Sequence, residues 1–247
     1  MKKKIISFSL WGDNPTYTVG AIKNAKLAEE IYPGWICRFY TARPSVPEDI
    51  INQLSELKNT ELVFMDDPEP RVETEPTRRS LFTFEGMFWR FGAAIDSDVM
   101  ICRDTDSRLG SREKAAVDEW LNSDKDFHIM RDNIQHGLPI MGGMWGVRNG
   151  LLSNIEELID NYRTSTKKTT NQFNDDQLFL LHQVYPLVYD KSMQHDSHYA
   201  VSLLGDWKDI TWRHQADGII YGLTRPFPWY DEDDEDQFVG QQYAADQ

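Results

Sequence analysis

Asp104 and Asp106 stand two residues apart in the run Val99-Met-Ile-Cys-Arg-Asp-Thr-Asp-Ser-Arg108. Val99 to Cys102 is a short apolar run of the kind that forms a buried strand. In an α/β sheet, ligands bind beyond the carboxyl ends of the strands. Two carboxylates leaving such an end on one face can hold a divalent cation. Mg²⁺ and Mn²⁺ take carboxylate, phosphate and water oxygens. The pair therefore points to a metal brought to a phosphate-bearing ligand, and the competing reading is a solvated turn.

Other residues suited to chemistry lie before and after the pair. Arg90 sits in Phe88-Trp89-Arg90-Phe91, just ahead of the strand. Arg103 and Arg108 bracket the carboxylates; Gly142-Gly143 allows backbone to approach a ligand closely. Asp176-Gln177 opens a helix, where Asp175 and Asp176 also suit the helix dipole. His195 and His198 follow in His195-Asp196-Ser197-His198. Ser9, Leu10 and Trp11 leave the first strand, and Trp11 or Tyr17 has a ring that can stack on a base.

The elements that must position these residues alternate. Strands are predicted at Lys3–Leu10, Trp35–Tyr40, Glu61–Met65, Val99–Cys102 and Phe127–Arg131, with a shorter one near Leu187–Tyr189. Pro139–Val147 reads as a strand or loop. Helices are predicted at Tyr17–Tyr32, Pro47–Leu57, Arg79–Ile95, Ser111–Leu121 (Ser111 as its cap), Leu151–Tyr162 and Asp175–Val184. Asp66–Thr77 and Thr164–Gln172 read as loops, the first a candidate lid. The β-α-β-α-β opening predicts an α/β fold: a mostly parallel central sheet with helices on both faces.

The order of the motifs resembles the GT-A fold glycosyltransferases, in particular the small, retaining family 8 type with its Asp-x-Asp element. An aromatic-x-Arg element, a strand and Asp-x-Asp are followed by a Gly-rich strand, an Asp-Gln pair opening a helix, and a late His. Here these are Phe88-Trp89-Arg90-Phe91, Asp104-Thr105-Asp106, Met141-Gly142-Gly143, Asp176-Gln177 and His195. Met141 stands where the family has Asn. Phage- and bacteria-type relatives of this fold combine the same stretches with Phe238-Val-Gly-Gln241.

The resemblance implies one GT-A-like domain over 1–247. Residues 1–103 would form a nucleotide-binding half, 104–230 a metal and acceptor half, and 231–247 an acidic C-terminal segment. It implies transfer of a sugar from a nucleotide sugar, a UDP-sugar by default, with Mn²⁺ or Mg²⁺ and with retention. Asp104, Asp106 and His195 would hold the metal, with His198 as competitor. Arg90, Asp176 and Gln177 would be catalytic. Ser9, Leu10, Trp11, Tyr17, Arg90, Thr105, Gly142 and Gly143 would line the donor site. The acceptor is open among a glycan, a protein and a modified nucleic-acid base. Two other classes use the same carboxylates: a nucleotide pyrophosphohydrolase or nucleotidyltransferase, and a non-catalytic nucleotide-sugar binder.

Composition narrows the partners. The 247 residues carry a formal charge of −14, six of those charges within Asp231–Asp236. An acidic chain is a poor non-specific binder of nucleic acid or anionic membrane. A basic cleft built from Arg78, Arg79, Lys167 and Lys168 would offset that locally. No apolar run reaches the ~18 residues of a membrane span. Met1–Trp11 mimics a signal peptide but fits a first strand better. Cys37 and Cys102, both in predicted strands, read as reduced, buried thiols. Reduced thiols fit the cytoplasm, and the resemblance implies that of a bacterial or phage-infected host cell.

Overall fold

A computed structural model describes residues 2–65, 85–133, 136, 138–165, 174–196, 223–225 and 238–245. The loop 66–77, Arg78, Arg79, Lys167, Lys168, His198 and the acidic run 231–236 lie outside the described residues.

Eight strands form one sheet: β1 (Lys4–Leu10), β2 (Ile36–Ala42), β3 (Thr60–Met65), β4 (Val99–Cys102), β5 (Phe127–Arg131), β6 (Trp145–Arg148), β7 (Ser192–Asp196) and β8 (Leu223–Arg225). Their order is β3-β2-β1-β4-β6-β5-β7-β8, so both predicted halves share one sheet. All neighbours pair in parallel except those of β6, which runs antiparallel to β4 and β5. The chain fills the sheet from β1 outward to β3, then returns to place β4 on the other side of β1. That reversal makes the crevice beyond the ends of β1 and β4 the topological switch point, where ligands bind in open α/β sheets.

Alternation along the strands builds two cores. On one face, Ile6, Phe8, Val99 and Ile101 pack under helices α1 (Pro15–Ile31), α2 (Glu48–Glu56) and α4 (Ser111–Leu121), with Trp120 fully buried. On the other, Ile5, Met100 and Cys102 meet the segment 85–96, α5 (Ile155–Ser165) and α6 (Asp175–Phe179). Phe91, Trp145 and Phe179 are fully buried there. Burying one such aromatic contributes roughly 1.5–3 kcal/mol. Cys37 and Cys102 are free and buried, and burial pushes both thiols up to about 12. No helix among the described residues is long and apolar enough to cross a membrane.

Four local expectations are corrected. The predicted helix Arg79–Ile95 is interrupted in its described part: residues 85–89 are helical, Arg90–Gly92 tightens to a 3₁₀ turn, and α3 (Ala93–Asp96) follows. The turn is drawn to the sheet at Arg90, whose carbonyl accepts from Ser7 Oγ at 2.6 Å and whose amide donates to Ser9 Oγ at 3.1 Å. The cap of α4 is Gly110 in extended conformation, and Ser111 is the first helical residue. Leu187–Tyr189 is no strand: Pro186 sits in the first turn of α7 (Tyr185–Val188), where a fixed φ favours helix, and β7 begins only at Ser192. The helix opened by Asp175 passes at Leu180–Val184 into a π-helical stretch.

Candidate functional site

The crevice beyond β1 and β4 collects most of the residues singled out from the sequence. Cys102 faces the core under the segment 85–96, so Asp104, in phase with it, leaves the strand on that same side. Arg90 reaches it from the 3₁₀ turn. One guanidinium nitrogen donates to Asp104 Oδ1 and, at 3.2 Å, to the carbonyl of Arg103. The other donates to Asp176 Oδ2 at 3.4 Å. Arg90 and Asp176 are buried, whereas the Asp104 side chain is 44% exposed. A buried guanidinium thus bridges one carboxylate open to the crevice and one closed off. Burial raises the Asp176 carboxyl above its ordinary value, Arg90 opposes the rise, and Asp104 adds to it.

The two glycines close the cradle. A Cβ at Gly142 would sit 2.7 Å from Arg90 Nη2 and 2.8 Å from Asp176 Oδ2, and one at Gly143 would collide with Asp104 Oδ2. Only hydrogen fits at either position. Gly143→Ala is therefore expected to displace the Asp104 carboxylate while leaving the sheet intact. A misplacement of about 1 Å costs roughly a hundredfold in rate. Catalytic turnover compared with the melting temperature checks this; a variant with wild-type turnover would show that Asp104 can move without consequence.

Asp106 lies deeper and is 6% exposed. Burial and the charge of Asp104 hold its carboxyl up to about 6, against the pull of its own amide, Arg90 and Gln242. Tyr17, at the start of α1, is partly exposed beside the pair: burial, then Asp106 and Asp104, raise its phenol. Thr105 is buried, its carbonyl over Gly20 of α1. Gln177 is partly exposed and donates to Asn174 Oδ1 at 3.3 Å; Asn174 holds the left-handed conformation at φ 71°.

On the first strand, Ser9 is committed to Arg90 through the hydrogen bond already described, and Leu10 is core, 1% exposed. Leu10 can offer a ligand only its backbone. The Trp11 ring packs edge-on against Trp89 and lies over Gly86.

His195 corrects the expectation of a third metal ligand. It lies on β7, three strands from β4, and is fully buried. Met193, in phase with it, packs on the α1 and α4 side of the sheet, opposite the face of Cys102. Its Nδ1 meets His128 Nε2 at 2.8 Å and its Nε2 meets Glu119 Oε2 at 3.1 Å. Both ring nitrogens are thereby engaged away from the Asp pair. His128 is stacked on Trp120, and burial holds its imidazole well below the ordinary histidine value, hence neutral. No cluster of three His, Cys, Asp or Glu suited to a metal occurs among the described residues.

Two residues of this site had gone unread. Asn24 of α1 is 1% exposed and ties down the turn that carries the carboxylates. Its Nδ2 donates to the carbonyls of Ser107 at 2.8 Å and Thr105 at 3.3 Å, and its Oδ1 accepts from the amide of Leu109 at 3.0 Å. The available signal is an amide on the Ala-lined buried face of a helix. Gln242 is the second: its Nε2 donates to Asp106 Oδ2 at 2.9 Å across 136 residues of sequence.

Solved structures share this architecture. The galactosyltransferase LgtC in complex with donor and acceptor sugar analogs matches over 93% of this chain and 90% of its own, with a TM-score of 0.51 and 14% identity. An active-site mutant of LgtC matches over 98% and 92%, with a TM-score of 0.50 and 13% identity. No protein-family model matches the chain, and no curated protein matches its sequence. The fold is that of the GT-A-type glycosyltransferases.

Proposed function

We propose that this chain transfers a glycosyl group from a nucleotide sugar, with a divalent cation at Asp104 and Asp106. The carrying observation is the cradle at the switch point, where Arg90 bridges Asp104 and Asp176 over two glycines that admit no side chain. The donor set fits the metal. Two carboxylates on one turn, one of them held up to about 6 by burial and its neighbour's charge, suit a hard cation such as Mn²⁺ or Mg²⁺. When bound, such a cation stabilises charge that develops on a departing diphosphate.

The chain's own residues supply the rest. Arg90 is a fixed positive charge beside Asp104, at the crevice where the diphosphate would lie, with its two terminal nitrogens donating to Asp104 and Asp176. Gln177, on the first turn of α6 and partly exposed, borders the reacting sugar, and Asp176, closed off behind it, holds Arg90 in place. Gly142 and Gly143 let the donor approach the backbone closely. Tyr17, beside the carboxylates, borders the nucleoside. The donor is a UDP-sugar by default and the course is retention, as in the family 8 enzymes that the motifs resemble. The acceptor is a glycan, a protein or a modified nucleic-acid base. The site of action is the cytoplasm.

The test has two steps. Thermal unfolding is followed with nucleotides and nucleotide sugars, each with and without Mn²⁺, since a ligand of the folded state raises the melting temperature. The nucleotide sugar that shifts it is then incubated with the protein, water taking the sugar in place of the acceptor, and the products are separated. Release of the nucleoside diphosphate supports glycosyl transfer. Release of the monophosphate would assign a pyrophosphohydrolase, and binding without turnover a non-catalytic receptor.

A further inference from the structure

Asp104 and Asp106 are not equally open. The Asp104 side chain is 44% exposed, whereas Asp106 is closed off and its Oδ2 accepts from Gln242 Nε2 at 2.9 Å. Gln242 belongs to residues 238–245, which return from the far end of the chain and cross the carboxylate turn. The amide of Tyr243 donates to the carbonyl of Asp106 at 2.8 Å, and Lys23 Nζ donates to the carbonyl of Ala245 at 3.1 Å. The hydrogen of the Gln242 amide is positive and takes a lone pair of Oδ2, so it opposes a cation approaching the same oxygen. A cation entering this site meets one open carboxylate and one capped.

The capping segment is fastened at one end and lightly held at the other. Val239 is buried beside Ala116, Met130 and Met144, and its amide donates to Asp132 Oδ2 at 2.9 Å. Gly240 follows at φ +85°, where a Cβ would meet Met144 Sδ at 2.8 Å, so glycine is required for this turn. From Gly240 to Ala245 no residue is buried. Polar contacts hold this part, together with the Tyr243 ring 5.2 Å from the Arg108 guanidinium carbon. Segments with few buried apolar contacts open at low cost. Closure carries a penalty of its own. Beside the Tyr243 ring, Arg108 Nε and Nη2 are buried without a hydrogen-bond partner, and opening relieves donors left in that state.

We propose that residues 241–245 are an autoinhibitory strap, which caps Asp106 and covers Arg108 when closed and swings out about Gly240 before a cation reaches Asp106 Oδ2. This rests on the metal reading under Proposed function and adds to it a control on cation entry. Val239 keeps the strap tethered to the core in both positions. The closed strap lowers the apparent affinity for the cation to the extent that open molecules are the minority.

The experiment uses the full chain and Mn²⁺ alone, at pH 8, well above the Asp106 carboxyl at about 6. Calorimetry compares wild type with Gln242→Ala and Tyr243→Ala. Gln242 is exposed and Tyr243 partly so, and both variants are expected to fold. Each is expected to bind Mn²⁺ about tenfold more tightly than wild type, the scale of releasing one hydrogen bond to a charged group. Hydrogen exchange then reads the strap itself. Mn²⁺ is expected to speed exchange of the 241–245 amides in wild type about tenfold, since the Tyr243 amide loses its partner when the strap opens. Binding by the variants alone would be the same result in its extreme form. Unchanged or weaker Mn²⁺ binding in both variants would overturn the strap's inhibitory role while leaving the metal reading intact. Slower exchange of 241–245 with Mn²⁺ would do the same, by showing a strap that tightens on the occupied site. Failure of all three proteins to bind Mn²⁺ would overturn both readings together.

Discussion

Asp106→Asn is expected to lower metal-dependent turnover by about a thousandfold, roughly 4 kcal/mol of lost charge stabilisation. The same change is expected to make the metal-free protein more stable. Burial and Asp104 raise the Asp106 carboxyl to about 6 in the fold, against about 4 in the unfolded chain. A raised carboxyl pKa means that the folded state binds the proton more tightly. Ionisation of Asp106 therefore costs stability: nothing below pH 4, an increasing amount between pH 4 and 6, and the full amount above pH 6. Asparagine removes that cost at nearly constant volume, and its amide oxygen can still accept from Gln242. The gain is about 2 kcal/mol at pH 7, a few degrees in melting temperature for a chain of this size, and it vanishes toward pH 4. Melting curves at pH 4 and pH 7, with and without Mn²⁺, check the sign. Mn²⁺ should stabilise wild type and leave the variant unmoved. A variant less stable than wild type at pH 7 would mean that Asp106 is satisfied by its protein neighbours alone.

Arg90→Ala is expected to fail in both respects, by a different route. Its guanidinium is buried and serves Asp104, Asp176 and the carbonyl of Arg103 together. Removing it leaves Asp176 as an uncompensated carboxylate, 3% exposed, and such losses cost about 3–5 kcal/mol. Turnover should fall by about a thousandfold or more, since an arginine at a departing phosphate has effects of that size. Arg90→Lys separates the two losses. A lysine restores charge but not the planar fork that reaches two carboxylates, so it should recover most of the stability and little of the turnover. Recovery of both by lysine would show that only the charge at this position matters.

Much of the fold was legible because period-2 and period-3.6 patterns are local properties of the chain. The apolar runs at β1, β2, β4 and β5 and the turn residues between them specified a βα alternation, and hence the mostly parallel sheet. Arg90, Asp104, Asp176 and the two glycines were legible as well, through motif order. The interruption at Arg90 was not, because it is drawn by serines of β1 more than eighty residues away. Nor was α7, where Pro186 turned an apolar stretch into a helical one.

By itself the sequence determined which residue types leave which strand ends, because alternation fixes the face on which each side chain emerges. Only the tertiary structure decided which of those ends meet. His195 and Asp104 both stand at strand ends, yet strand order and phase put them on opposite faces of the sheet, three strands apart. Gln242, in a segment without regular structure, is carried to Asp106 by the anchors at Val239 and Tyr243. The physical reason is range. Side-chain phase is set within a few residues, whereas register, strand order and the path of an irregular segment are set by packing and hydrogen bonds between residues far apart in the chain.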